Sequence, residues 1–250
     1  MNESLPPITA SRAIDHRPAE GMRLYYRFCR FICQWVMTLL LRARVFGLHN
    51  VPPKGGALLV CNHQSFLDPV LVTMALHREG NYMARDSLFR SRLFRVLIES
   101  LNAFPVRRNT ADLGAIKEAM RRIKQGRVVV VYPEGTRTED GRIGPMFPGL
   151  AAIAKKTGVP IVPTLIDGVF QAWPRNRKWP SLGDVIVEYG RPILPAEYEH
   201  LSAEELIELI RDRLIAMQQR WHSRVPRRRL KLNHENPSAR NNGKTALPGS

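Results

Sequence analysis

Short apolar runs alternate with stretches whose apolar residues recur every three or four positions, and the alternation persists from residue 47 to residue 191. Residues 57–61 and 128–132 are apolar throughout, the mark of strands covered on both faces. Residues 161–166, apolar but for Thr164, make a third run, and 81–84, 103–106 and 184–189 make weaker ones. Between them, residues 69–77, 91–101, 113–125 and 150–156 carry helical periodicity, with Gly126 and Gly158 at the expected stops. Residues 202–222 predict a last helix, in which Ser202 and Glu205 have capping-box spacing. Strands alternating with helices predict an α/β fold: a mixed, largely parallel sheet flanked by helices.

Residues 22–46 also read as helical, with an unusual division of faces. Successive helical residues turn by about 100°, so Arg23, Arg27, Arg30 and Gln34 share one narrow arc. Tyr25, Phe28, Ile32, Trp35, Val36 and Leu39 lie opposite. The pattern predicts an amphipathic, membrane-associated segment lying among lipid headgroups. An ordinary amphipathic helix packed on the following domain is the alternative. Residues 31–41 are uncharged but rise only about 16 Å as a helix, too short to span a bilayer. The expected organisation is a disordered stretch at 1–20, an interfacial helical segment at 21–46, a catalytic domain at 47–224 and a basic disordered tail at 225–250.

Charge sharpens the membrane expectation. The chain carries 38 Lys+Arg against 22 Asp+Glu, a net of +16. From residue 22 to residue 78 the only acid is Asp68, and residues 224–250 are basic apart from Glu235. Such an excess suits an anionic leaflet, an anionic substrate or nucleic acid. No helix-turn-helix, zinc-finger or RNA-binding motif supports the last, so no nucleic-acid partner is expected. The segment from Trp173 to Trp179 mixes tryptophan with basic residues, as interfacial loops do and plain exposed loops also can. Cys29, Cys33 and Cys61 read as reduced, packed thiols of an intracellular protein. The first twenty residues lack the apolar core and cleavage site of a signal peptide.

Two motifs carry chemistry. In Asn62-His63-Gln64-Ser65-Phe66-Leu67-Asp68 the histidine follows a strand directly, and Asp68-Pro69 opens the next helix with the aspartate as its N-cap. That loop is long enough to bring the Asp68 carboxylate onto the His63 ring. A carboxylate on one imidazole nitrogen fixes the tautomer and leaves the other as a general base. The competing reading is a simple helix cap beside an incidental histidine. No G-x-S-x-G elbow is present, so direct transfer to a substrate hydroxyl is expected rather than a serine acyl-enzyme. No His/Cys/Asp/Glu group has metal-ligand spacing.

The second motif, Tyr132-Pro133-Glu134-Gly135-Thr136-Arg137, leaves another buried strand. Pro133 and Gly135 force a turn that can offer backbone amides to an anion, and Arg137 can hold a phosphate through two parallel hydrogen bonds. Glu134 could orient Arg137 or meet the acceptor alcohol; a turn with a surface ion pair is the plainer alternative. Arg107 and Arg108 end another short strand, as a solvated pair or as part of the same anion site. Pro160 and Pro163 flank a further strand and either pack or shape the pocket wall.

These four segments, in this order, resemble the four sequence blocks of the glycerolipid acyltransferase family, especially its bacterial 1-acylglycerol-3-phosphate O-acyltransferases. The resemblance spans about residues 48–193. It implies that His63 is the general base and Asp68 its partner. It also implies that Arg108, Glu134, Gly135, Thr136 and Arg137 bind the acceptor phosphate, and that Pro163 belongs to the fourth block. The implied reaction moves a fatty acyl group from acyl-CoA or acyl carrier protein to a glycerophosphate hydroxyl in phospholipid biosynthesis, without a bound cofactor. The implied setting is the cytoplasmic face of the membrane, with the protein peripheral or monotopic. Phe147 stands where many bacterial relatives carry a basic residue. The acceptor is therefore lysophosphatidic acid or another compound: glycerol-3-phosphate, a lysophospholipid or an aminoacyl lysolipid.

Overall fold

The apolar runs form the strands of one sheet. The computed structural model describes residues 22–107, 112–173, 177, 179 and 181–224. Its strands are β1 (Arg44–Phe46), β2 (Ala57–Cys61), β3 (Gly80–Arg85), β4 (Ala103–Val106), β5 (Val128–Val131), β6 (Ile161–Asp167) and β7 (Ile186–Tyr189). They make a 7-stranded sheet in the order β1-β7-β6-β2-β5-β3-β4. Every neighbouring pair is parallel except β6–β7, as a mixed, largely parallel sheet requires. β2, β5 and β6 are buried along their whole length, because helices cover both of their faces.

The helices are α1 (Leu24–Leu41), α2 (Asp68–Met74), α3 (Arg92–Ser100), α4 (Leu113–Lys124), α5 (Gly149–Thr157), α6 (Val169–Ala172), α7 (Pro195–Tyr198) and α8 (Ala203–Arg224). One core joins α4, α5 and α8 to the sheet through Ala119, Ile123, Leu150, Ile153, Ile210 and Leu214. The other joins α1 and α2 to the opposite face through Met37, Leu41, Leu71 and Val72. Ser202 and Glu205 close the expected capping box: the Ser202 N–H donates to Glu205 Oε2 at 2.6 Å, and the Glu205 N–H to Ser202 Oγ at 3.1 Å.

The N-terminal segment differs from expectation in two ways. Its helix stops at Leu41, where Arg42 turns left-handed, and residues 44–46 pair with β7 as a strand. The sheet therefore begins inside the stretch read as helical. Three of the four residues of the polar arc also bond to the protein, while Arg27 is exposed. Arg30 Nη1 donates to the Leu76 carbonyl at 2.9 Å, and Gln34 Nε2 to the Met74 carbonyl at 2.7 Å, at the C-terminal end of α2. Carbonyls at a helix end lack intrahelical donors, which makes them natural acceptors for both side chains. Arg23 meets Glu79, the Ser100 carbonyl and Asn102. Burial works to raise the Glu79 pKa, but hydrogen bonds from Arg23 and Asn102 outweigh it and hold the carboxyl below its usual range. The aromatic and aliphatic arc is left outward: Leu24 is 78% exposed, Phe28 62% and Leu39 68%. The readings for residues 1–20, for the tail 225–250 and for Arg108 fall outside the described residues.

Candidate active site

β2, β3, β4, β5 and β6 point the same way, so their carboxyl ends share one edge of the sheet. His63 emerges there from β2 and Glu134 from the adjacent β5. Asn62 holds the exit of β2 against β6: its Nδ2 donates to the Ile166 carbonyl and its Oδ1 accepts the Ile166 N–H, both at 2.8 Å. This side chain copies a strand pairing one residue beyond the ladder.

His63 Nδ1 lies 2.7 Å from Asp68 Oδ2. The same oxygen accepts the N–H groups of Gln64 at 2.6 Å and Ser65 at 2.8 Å. Asp68 is fully buried and His63 nearly so. Asp68 is the first residue of α2 and Leu67 its N-cap, so the carboxylate caps the preceding loop instead of the helix. The reason is geometric: the amides of Gln64 and Ser65 converge on Oδ2 as the chain folds back. With Nδ1–H assigned to the carboxylate, Nε2 is the nitrogen left as base.

Tyr132 stacks on the His63 ring with centroids 4.4 Å apart. Burial pushes its phenol far up, with Cys61 and Asp68 acting in the same direction, so it is a neutral wall of the site. Burial likewise raises the Cys61 thiol, which removes a thiolate nucleophile from beside the base. Ser65 is buried, and its Oγ donates to the Trp173 carbonyl at 3.3 Å, an architectural task.

The second motif wraps the first. Glu134 Oε1 accepts the His63 N–H at 2.8 Å, and Oε2 accepts the Gly144 N–H at 3.1 Å. The Thr138 N–H donates to the His63 carbonyl at 2.8 Å. Both backbone groups of His63 are thus held by the loop that carries Arg137. Burial raises the Glu134 pKa, and the amides of Gly144 and His63 oppose that rise. Gly135 takes φ +68°, a left-handed turn that suits glycine, and a Cβ there would stand 2.8 Å from the Phe147 ring. Thr136 is exposed on the turn.

Arg137 is held at the His63 loop by a residue that sequence reasoning passed over. Its guanidinium carbon lies 3.6 Å from the centroid of the Phe66 ring, and Phe66 is 61% exposed. The sequence shows only an aromatic midway between His63 and Asp68; its exposure and its partner appear with the fold. Gln64 was missed too: its Nε2 donates to the Gly141 carbonyl at 3.3 Å, and its Oε1 accepts the Phe170 N–H at 3.1 Å. Pro163 lies inside β6 opposite Val60, with its carbonyl taken by the Gly190 N–H, so it sits within the sheet and not at the edge. No group of three or more His/Cys/Asp/Glu able to hold a metal ion occurs among the described residues.

The arrangement supplies an oriented imidazole, a carboxylate to stabilise its charged form and a nearby guanidinium. A family model described as Acyltransferase matches residues 42–167. The chain is 26% identical over 208 residues to a 1-acyl-sn-glycerol-3-phosphate acyltransferase of Bacillus subtilis, covering 83% of this chain and 98% of that protein. It is 32% identical over 162 residues to the chloroplastic 1-acyl-sn-glycerol-3-phosphate acyltransferase BAT2 of Brassica napus, covering 63% of this chain and 47% of that one. The crystal structure of the 1-acyl-sn-glycerophosphate (LPA) acyltransferase from Thermotoga maritima matches with a TM-score of 0.71 and 26% identity, over 80% of this chain and 81% of that one.

Proposed function

The chain belongs to the acyltransferase family, and from that premise we propose that it acylates the free hydroxyl of 1-acylglycerol-3-phosphate, using an acyl thioester. The 2.7 Å contact between His63 and Asp68 carries this reading. His63 Nε2 takes the hydroxyl proton as the oxygen attacks the thioester carbonyl. Asp68 stabilises the imidazolium that forms. The tetrahedral intermediate then collapses, the carbon–sulfur bond breaks, and the leaving thiolate takes the proton from His63. General-base assistance of this kind contributes about 10²–10⁴ in rate, and orientation of two bound substrates adds to it. Coenzyme A or acyl carrier protein is the thiol released, and no bound cofactor takes part.

Arg137 holds the acceptor phosphate in this proposal, with the turn at Gly135 and Thr136 and with Arg108 as further donors. Glu134 keeps the His63 backbone and the phosphate turn in register. The names of the relatives support lysophosphatidic acid as acceptor. A second acceptor class, glycerol-3-phosphate or another lysolipid, is favoured by one observation: the uncharged ring of Phe147 lies against Gly135 of the turn.

The proposed setting is the cytoplasmic face of a membrane, where the protein is peripheral or monotopic. Among the described residues no helix is long and apolar enough to cross a membrane. Support comes from α1, whose apolar arc is turned outward while Arg23, Arg30 and Gln34 of its polar arc bond to the protein. A panel of acceptors and thioesters, read by thiol release, tests the function. Lysophosphatidic acid is expected to be the best acceptor, and Arg137→Lys to raise its KM far more than that of the thioester. Turnover with a lysolipid lacking the terminal phosphate, unaffected by Arg137→Lys, would contradict the phosphate assignment.

A further inference from the structure

Helix α3 repeats, on a separate part of the fold, the division of faces seen in α1. Its periodicity places Leu93, Phe94 and Leu97 on one arc and Arg92, Arg95 and Glu99 on another. Ile98 is the only buried residue of the helix. Leu93 is 88% exposed, Val96 67% and Leu97 43%. A helix packed only as a sheet cover would place these side chains in the core. Arg90 and Arg92 stand exposed at its start, before the apolar arc.

We propose that α3 is a second membrane contact, seating Leu93, Phe94, Val96 and Leu97 in the acyl region of an anionic leaflet with Arg90 and Arg92 among the headgroups. The proposal rests on the membrane setting given above and adds a second point of attachment. Two observations choose a bilayer as the occupant. Arginine beside exposed aliphatic side chains complements anionic headgroups over hydrocarbon. The two helices also adjoin at their ends, because Arg23 Nη2, at the start of α1, donates to the Ser100 carbonyl at the end of α3 at 2.9 Å. One point of attachment leaves a protein free to tilt. Two helices joined at that corner define a plane and so fix how the carboxyl edge of the sheet meets the lipid.

The test is co-sedimentation of the full chain with vesicles of phosphatidylcholine mixed with phosphatidylglycerol, and of phosphatidylcholine alone. Four proteins are compared: wild type, the double variant Leu93→Asn and Val96→Asn on α3, the double variant Arg90→Gln and Arg92→Gln at its start, and the double variant Phe28→Asn and Trp35→Asn on α1. Both substituted α3 positions are exposed, so an unchanged thermal midpoint is the folding control. The α3 variant is expected to bind mixed vesicles about tenfold more weakly than wild type. Arg90→Gln with Arg92→Gln is expected to weaken binding to mixed vesicles only. Loss in the α1 variant with none in the α3 variant overturns the role of α3 and leaves the membrane setting standing. No vesicle binding by wild type overturns both. A wild-type dimer that the α3 substitutions dissociate, with vesicle binding unchanged, identifies a second copy as the occupant and likewise overturns the proposal.

Discussion

A carboxylate with three hydrogen bonds on one oxygen sets the geometry of the site. Two of the donors to Asp68 Oδ2 are backbone amides, so the oxygen is placed by the chain before it receives the His63 ring. Glu134 does the same for the next layer, holding the amides of His63 and Gly144. Phe66 is the residue that connects the His63 loop with Arg137, the proposed phosphate ligand. A guanidinium over an aromatic face contributes about 0.5–2 kcal/mol, and 1.4 kcal/mol is tenfold in binding. Phe66→Ala is therefore expected to raise the acceptor KM by several-fold to about tenfold, with the thioester KM little changed and Phe66→Trp near wild type. Steady-state kinetics with each substrate varied in turn reads this directly, and an unchanged acceptor KM would remove Phe66 from the site. The His63–Asp68 pair and the arginine were legible in the sequence because strand end and helix start flank the loop. Phe66 was not: its partner lies in a different motif, and only the fold brings the two together.

At the scale of elements, the bounds of α3, α4 and α5 and the Ser202–Glu205 cap followed from local pattern, while α1 and α2 end earlier than the pattern predicts and the short α6 and α7 left no periodicity to read. The direction of α1 did not. Its arginine arc reads as solvent- or headgroup-facing because the partners are backbone carbonyls of Leu76 and Met74, which leave no mark in a sequence. β1 was hidden for a related reason: three residues beside a helix acquire strand geometry only by pairing with β7. α8 is tied to the catalytic edge by side chains on its last turns. Gln218 Nε2 donates to the Gly141 carbonyl at 2.9 Å, the carbonyl that also accepts Gln64. His222 Nε2 lies 3.1 Å from Asp167 Oδ2 at the end of β6. The hydrogen bond to Asp167 raises the His222 pKa above its usual 6.5, against the opposing effect of burial. The folded state thus binds the proton more tightly, and the stabilisation is complete below about pH 6.5 and lost as pH rises through the raised value. The His222 side chain is 38% exposed, so solvent screening limits the gain to about 1 kcal/mol or less. His222→Gln is expected to lower unfolding stability by that amount near pH 5.5 and by almost nothing near pH 9. Urea unfolding at both pH values measures it, and an equal loss at both would show that the charge plays no part.

At the scale of the molecule, the alternating pattern predicted the fold class, while strand order came only with the structure. β2 lies between β6 and β5, so His63 leaves an interior strand whose neighbours supply Asn62's partner and Glu134. A sequence shows that such strands exist; it does not show that residues 57–61 and 128–131 are adjacent, because that depends on how the intervening helices pack. The charge excess and the outward apolar arcs of α1 and α3 suit a catalyst for substrates that live in a bilayer. In the proposed reaction His63, oriented by Asp68, deprotonates the alcohol of a phosphorylated lysolipid. The most direct measurement is thiol release from acyl-CoA with lysophosphatidic acid, comparing wild type with His63→Ala at matched folding. The account predicts a loss of at least about 10² in kcat with both KM values nearly kept. Turnover by His63→Ala within a few-fold of wild type would contradict it.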